Sequence, residues 1–327
     1  MKIILGILVL LTIALIHLMS GARPVHIDDV FYAITDYNPK NYAHVVIIKQ
    51  RMSRLGVTLC LGAMLAVSGF VLQKLLRNDL VSPSTLGINS GASAFTIAGI
   101  YFFGDIGFNL FWASLLGGVS ALILSFFAAN QLNMGQRDPI NLALGGVISS
   151  TLFAGIATFL LSLDPDRFGK IIGWLVGDIG IFDYQILALF WPLTIISIGI
   201  LLTLSRSLDV MALGHEQATS LGLNPQKIQW ISLACAIILP VIAVTVSGPI
   251  GFIGLVVPHI VRLLANDYGR GALVFAAIIG SSILTSADTI ARSVLSPHLL
   301  NVGTVMALIG GVGFLSIIII VLRKPKC

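Results

Sequence analysis

A chain of 327 residues with 57% hydrophobic and only 10% charged residues, a net charge of +5 and a mean hydropathy of +0.99 cannot solvate its own surface, since a soluble globular chain carries about 25% charged residues. Its solvent is lipid. The basic surplus includes no Lys/Arg cluster interleaved with aromatics, which argues against a nucleic-acid partner, and Cys60, Cys235 and Cys327 lack any metal or paired spacing and read as inert thiols.

In lipid every backbone polar group needs an internal partner, which leaves helices or closed barrels. Continuous apolar runs such as Ile3–Ile16 and Val305–Leu322 predict helices, because barrel strands would alternate with period two. A span needs about 20 apolar residues to cross a hydrocarbon core of about 30 Å. In chain order the runs predict ten spans, near 2–18, 53–75, 84–103, 110–130, 139–163, 184–205, 229–247, 251–264, 271–294 and 303–322. The piece Ile171–Phe182 is too short to cross and is expected to be re-entrant or interfacial. No linker divides the chain, so residues 1–327 are expected to form one polytopic domain. Lys2, Ile3–Ile16 and Ser20-Gly21-Ala22 also have the form of a secretory signal peptide; a retained first span is the preferred alternative.

With both termini cytoplasmic, eleven Lys/Arg fall inside (Lys2, Lys74, Arg77, Arg137, Arg206, Lys227, Arg262, Arg270, Arg323, Lys324, Lys326) and eight outside. That is the direction of the positive-inside bias. Three of the outside cations cluster at Lys49, Arg51 and Arg54, at the mouth of the second span.

Several chemistries are missing from the sequence. It has no Walker-type phosphate loop, no His-Glu-x-x-His, no Gly-x-Ser-x-Gly and no paired Cys motif. Asp178 and Asp288 fall near span ends, and no carboxylate sits at a span centre, where an ion-coupled carrier would need one. The expectation is a path whose energy comes from elsewhere, with no catalytic residue, no metal and no cofactor.

Three segments stand out. In 246–264, "VSGPIGFIGLVVPHIVRLL", the residues Gly248, Pro249, Gly251, Gly254 and Pro258 break a helix, and His259 follows. Such breaks at membrane depth survive where they are buried in protein or line a cavity; close helix packing is the alternative for Gly251 and Gly254, and a hydrogen-bonded core role for His259. The segment 141–155, "NLALGGVISSTLFAG", carries Asn141, Gly145, Ser149 and Ser150 and suits either a path wall or tight helix packing. The segment 212–229, "ALGHEQATSLGLNPQKIQ", holds the only Glu of the chain, Glu216. Gly222 is a helix stop, and Asn224-Pro225 is an N-cap followed by Pro at the first helical position. Met211, His215, Ala218 and Gly222 would share one face, and Glu216, Gln217 and Ser220 another. A compact knob fit for a partner groove is expected; an ordinary solvated loop is the alternative.

Segment 246–264 resembles the signature of the FecCD family, the permease subunits of ABC importers for iron–siderophores, haem and cobalamin. "RMSRLGVTLCLGAMLAVSGFVLQKLLRNDLVSPSTLGINSGA" (51–92), "LGHEQATSLGL" (213–223) and "ADTIAR" (287–292) resemble other stretches of that family in the same order, and the likeness covers most of residues 50–322. It implies an all-α membrane fold of about ten transmembrane helices with one short re-entrant or interfacial helix, the type II ABC importer permease architecture. It also implies a second permease subunit (identical or related), two cytoplasmic ATP-binding subunits and a soluble or lipid-anchored substrate-binding protein, in the bacterial cytoplasmic membrane.

By the same resemblance, Leu213, Gly214, His215, Glu216, Ala218, Leu221 and Gly222, in a coupling segment of about 207–228, meet the ATPase. Arg51, Arg54 and Arg292 face acidic residues of the binding protein; snorkelling anchors are the alternative. Asn78 and Leu80, with Arg137 and Asp138, form a cytoplasmic gate, although Asp79 stands where the family usually has Pro. The expected function is translocation of an iron chelate, iron–siderophore foremost, driven by ATP hydrolysis on a separate chain. Haem or cobalamin cargo, or an ion-coupled secondary transporter, are the alternatives.

Overall fold

The computed structural model describes residues 2–21, 24–104, 107–131, 139–168, 172–179, 184–265, 268–295 and 298–323. Every regular element among them is helical, as lipid requires of apolar runs. In chain order these are α1 (Lys2–Met19), α2 (Ile27–Thr35), α3 (Tyr42–Val46), a π-helical turn (Ile47–Met52), α4 (Ser53–Leu76), α5 (Ile88–Phe103), α6 (Gly107–Gln131), α7 (Pro139–Leu163), α8 (Pro165–Phe168) and α9 (Ile172–Leu175). They continue with α10 (Tyr184–Leu213), α11 (His215–Ser220), α12 (Pro225–Ser247), α13 (Ile253–Leu264), α14 (Gly269–Ser293) and α15 (Val302–Arg323).

Among the described residues, seven stretches are long and apolar enough to cross a bilayer, and three shorter apolar helices lie at Ile88–Phe103, Ile253–Leu264 and Val302–Ser316. Each of the ten expected spans coincides with one of them. The boundaries differ where polar side chains found partners. Helix α10 runs on to Leu213 instead of stopping near 205, because Asp209, which lowers the local hydropathy, is held by Lys74. Helix α5 starts at Ile88 rather than near 84, because Ser82, Ser84 and Thr85 bond one another in a turn. The short piece expected over 171–182 is helical at Ile172–Leu175, and its Gly177 carbonyl accepts from the Gly303 amide at 2.9 Å. Helices α2 and α3 were not expected, since neither is an apolar run of spanning length.

Helix α4 is buried on every side, as expected of a helix that is apolar all round. It packs against α14, α13, α12 and α10. With lipid tails as apolar as leucine, such crossings depend on close backbone approach through small residues. A Cβ at Gly62 would collide with the Gly280 carbonyl of α14, and one at Gly69 with the Gly254 backbone of α13. Helices α5, α6 and α7 form a second packed group that meets α4's group through α12. Helix α1 lies outermost against α14, with Ile4, Leu8 and Leu11 turned outward. Pro192, Pro240 and Pro258 sit inside α10, α12 and α13, which neighbouring helices in a bundle tolerate.

Candidate functional site

Three groups of predicted residues lie in three places: the two ends of α4, and a cavity beside the α12–α13 turn.

At the C-terminal end of α4, the connection between α10 and α12 folds by local rules. Helix α10 stops at Leu213, and Gly214 takes φ 149°, a conformation only glycine adopts comfortably. Helix α11 follows and closes as a Schellman motif. The Leu223 amide bonds the Ala218 carbonyl at 3.1 Å and the Gly222 amide bonds the Thr219 carbonyl at 2.9 Å, with Gly222 at φ 78°. The chain then restarts at Asn224, whose side-chain oxygen accepts from the Lys227 amide at 3.1 Å, with Pro225 in the first helical position. Asn224→Ala should therefore cost about 1 kcal/mol of stability, read as a lowered Tm of the detergent-solubilised protein.

The break at Gly214 corrects one expectation. Met211 and His215 are not on one continuous helix face, because the helix ends between them. What the fold does bury is Ala218, in the same core as Met211, while Leu213 and Leu221 are each 67% exposed and Glu216 is also exposed. Helix α11 and its flanks thus present two leucines, Leu213 at the end of α10 and Leu221 just after α11, with the only Glu of the chain between them on a short knob.

The loop after α4 begins with Arg77 in the left-handed region at φ 49°. Asn78 is buried, and its side-chain oxygen accepts from the Leu80 amide at 3.0 Å, fixing an Asx turn that leaves Leu80 half exposed. Asp79, in the place of the expected proline, lies 3.3 Å from Arg262. Arg137 and Asp138 lie outside the described residues.

The residues expected to line a path divide between packing and a cavity. A Cβ at Gly145 would strike the Ser125 carbonyl, and Ser149 donates to the Ala121 carbonyl at 2.7 Å, so both hold α7 against α6. Asn141 begins the same apolar stretch of α7. Ser150 instead lines a cavity of about 380 Å³ with Ser84, Thr85, Thr151, Gly251 and Phe252. This cavity brings together the loop after α4, α7 and the start of α13. Around it, α12 ends at Gly248, Pro249 and Gly251 carry the chain across to α13, and Gly254 seats α13 on α4. Pro258 lies in α13, and the His259 ring Nδ1 lies 2.8 Å from the Leu255 carbonyl, with its ring edge-on to Phe314. His259 is thus fixed by its own helix.

At the N-terminal end of α4, Arg51, Arg54 and Arg292 line a cavity of about 620 Å³ together with Asp29, Tyr42 and Gln50. All three arginines are engaged within the fold. Arg51 is 5% exposed and donates to the Leu18 and Met19 carbonyls at 2.7 and 2.9 Å, capping the C-terminus of α1. Arg292 is also buried; it bonds Asp288 at 3.0 Å and His17 at 3.0 Å. Arg54 grips Asp288 in a fork, Nη2 to Oδ1 at 2.7 Å and Nε to Oδ2 at 3.1 Å. Asp288 is fully buried between them. A buried cation needs a partner, and in a lipid-facing bundle the nearest ones are a carboxylate and the free carbonyls of a helix end. The sequence marks Asp288 as a carboxylate near a span end but not as the partner of these arginines, and His17 carries no signal at all. Among the described residues no group of three or more His, Cys, Asp or Glu could hold a metal.

With these geometries in place, comparison with known proteins is direct. The model of the FecCD transport family matches residues 7–320. The Fe(3+) dicitrate transport system permease FecD of Escherichia coli (strain K12) is 32% identical over 323 residues, covering 98% of this chain and 99% of that protein. The molybdate import system permease MolB of Haemophilus influenzae is 33% identical over 267 residues, covering 81% and 78%. A solved inward-facing structure of an ABC transporter assigned to the metal-chelate type superposes with a TM-score of 0.80 at 27% identity, covering 97% of this chain and 98% of that one.

Proposed function

Because this chain belongs to the FecCD transport family, the membrane permease subunits of ABC importers, we propose that it passes an iron chelate, an iron–siderophore foremost, across the bacterial cytoplasmic membrane. The energy comes from ATP hydrolysis on two separate subunits at the α11 end, which faces the cytoplasm. A second permease subunit completes the path, and a substrate-binding protein delivers cargo at the opposite end.

The observation that carries this reading is α11, a capped knob that turns Leu213, Glu216 and Leu221 outward. An exposed leucine pair flanking a short helix is suited to a groove on a partner, and Glu216 between them gives that contact a sign. At the other end, Arg54 is the least buried of the three arginines, and it is the one an acidic docking residue would reach. The cargo reading rests on relatives: FecD is named for Fe(3+) dicitrate, MolB for molybdate. The cavity lined by Ser84, Thr85, Ser150 and Thr151 with Val147, Phe252 and Leu255 is largely apolar and carries no charged group, a wall that would not trap cargo by charge.

Glu216→Lys and Gly214→Pro should each abolish uptake while leaving the protein in the membrane, since proline cannot take the φ of residue 214. Normal uptake by both variants removes α11 from the coupling role. Cargo is settled by uptake in a deletion strain offered labelled iron–siderophore, ferric citrate, haem, cobalamin and molybdate in turn. Uptake by the purified chain alone under a proton or sodium gradient would instead make it a secondary transporter.

A further inference from the structure

The end of α4 and the residue after it carry three grips, two on α10 and one on the following loop and α13. Lys74 Nζ lies 2.6 Å from Asp209 Oδ1 of α10, with side chains only 9% and 16% exposed. The second oxygen of Asp209 accepts from the Gly269 amide, where α14 begins, at 2.6 Å. Arg77 donates to the Met211 carbonyl at 2.8 Å, just ahead of the end of α10 at Leu213. One residue before Lys74, Gln73 donates to the Val81 carbonyl at 3.1 Å and accepts from Arg262 at 2.8 Å. The Gln73 carbonyl takes the Asn78 amide at 3.2 Å. Thus one short piece of α4 holds the stem of α11 on one side and the loop of Asn78, Leu80 and Val81 on the other.

A largely buried ion pair is a weak source of stability, because desolvation offsets most of the attraction. Apolar contact would hold α4 to α10 as well here: the Lys74 ammonium already sits 4.7 Å from the Phe70 ring centre and 5.6 Å from that of Tyr268. What a charged pair adds is direction, one fixed distance between two backbones. We propose that Lys74 and Asp209 are positioning residues of the transport cycle, the joint that makes α11 and the loop after α4 move as one body. The proposal rests on the reading of α11 as the contact with the ATPase. On it, a displacement of α11 reaches Asn78 and Leu80 through Asp209, Lys74 and Gln73, and the loop cannot shift while the pair holds α10 still.

The test uses the complete transporter, co-expressed and reconstituted in vesicles, and reads the ratio of cargo delivered to ATP hydrolysed. Lys74→Met and Asp209→Asn should each leave the ATPase co-purifying yet lower that ratio tenfold or more. The double variant should be no worse than either single one, and the swap Lys74→Asp with Asp209→Lys should recover part of the ratio. A purely structural role would lower yield, ATP hydrolysis and uptake together and leave the ratio unchanged, which overturns the proposal. Should Lys74→Met fail to accumulate, a second measurement decides. In a background without Cys60, Cys235 and Cys327, a short bismaleimide link between Lys74→Cys and Asp209→Cys should leave transport running. A block would mean that the helices part during the cycle, and the proposal falls. Failure of the α11 reading shows separately, as full uptake and ATPase binding by Glu216→Lys.

Discussion

Asp288→Ala should be among the most damaging single substitutions in this chain, costing about 3–5 kcal/mol, as expected when one partner of a buried pair is removed and the other left behind. All three hydrogen bonds of Arg54 within the described residues end on Asp288, and Arg292 spends its Nε on the same carboxylate. Removing Asp288 leaves two largely buried guanidinium groups with one fewer anion than before. The measurement is the fraction of monodisperse protein after graded heating in detergent, compared with wild type. The double variant Arg54→Met with Asp288→Leu should cost less than the sum of its parts, because it removes both the charge and its orphan. If Asp288→Ala were as stable as wild type, the cluster would be an incidental contact.

Gly69→Val should also be clearly destabilising, for a different reason. A Cβ there has no room: it would meet the Gly254 carbonyl, a backbone atom that can yield only if α4 and α13 separate. Overpacking of this kind costs typically about 1–3 kcal/mol, and here it also moves the cavity wall that begins with Gly251 and Phe252. Gly69→Ala should show a smaller loss in the same assay. Gly56→Val is the matching control on the same helix; nothing stands within 4 Å of its added carbon. Its effect should stay within about 0.5 kcal/mol.

The spans could be read in advance because the bilayer imposes one length and one polarity on every crossing helix. The α11 knob could be read because its rules are local: a left-handed glycine after the helix, and an asparagine then a proline before the next. What could not be read is which side chains meet across the bundle. Arg51 finds carbonyls 32 and 33 residues away, and Arg54 finds a carboxylate 234 residues away. No spacing rule reports such distances, so nothing in the sequence showed that these cations also bond within the fold. The same limit separated Ser150, which reaches the cavity, from Ser149, which turns to α6. Helices α2 and α3 escaped because they are short, and hydropathy registers only long runs.

The π turn at Ile47–Met52 has a consequence for anyone who aligns, grafts or shortens this chain. Successive residues of a helix are offset by about 100° around its axis, and a π turn holds one residue more than an α turn. Residues 42–46 and 53–76 therefore share an axis but not a face count. Deleting one residue between 47 and 52 would let the stretch close as a regular α-helix and keep Tyr42 and His44 on their present side of α4, whereas deleting one residue within α4 would swing them by about a quarter of a revolution. Length here is an angle: an alignment that ignores the extra residue would assign every residue before it to the wrong face.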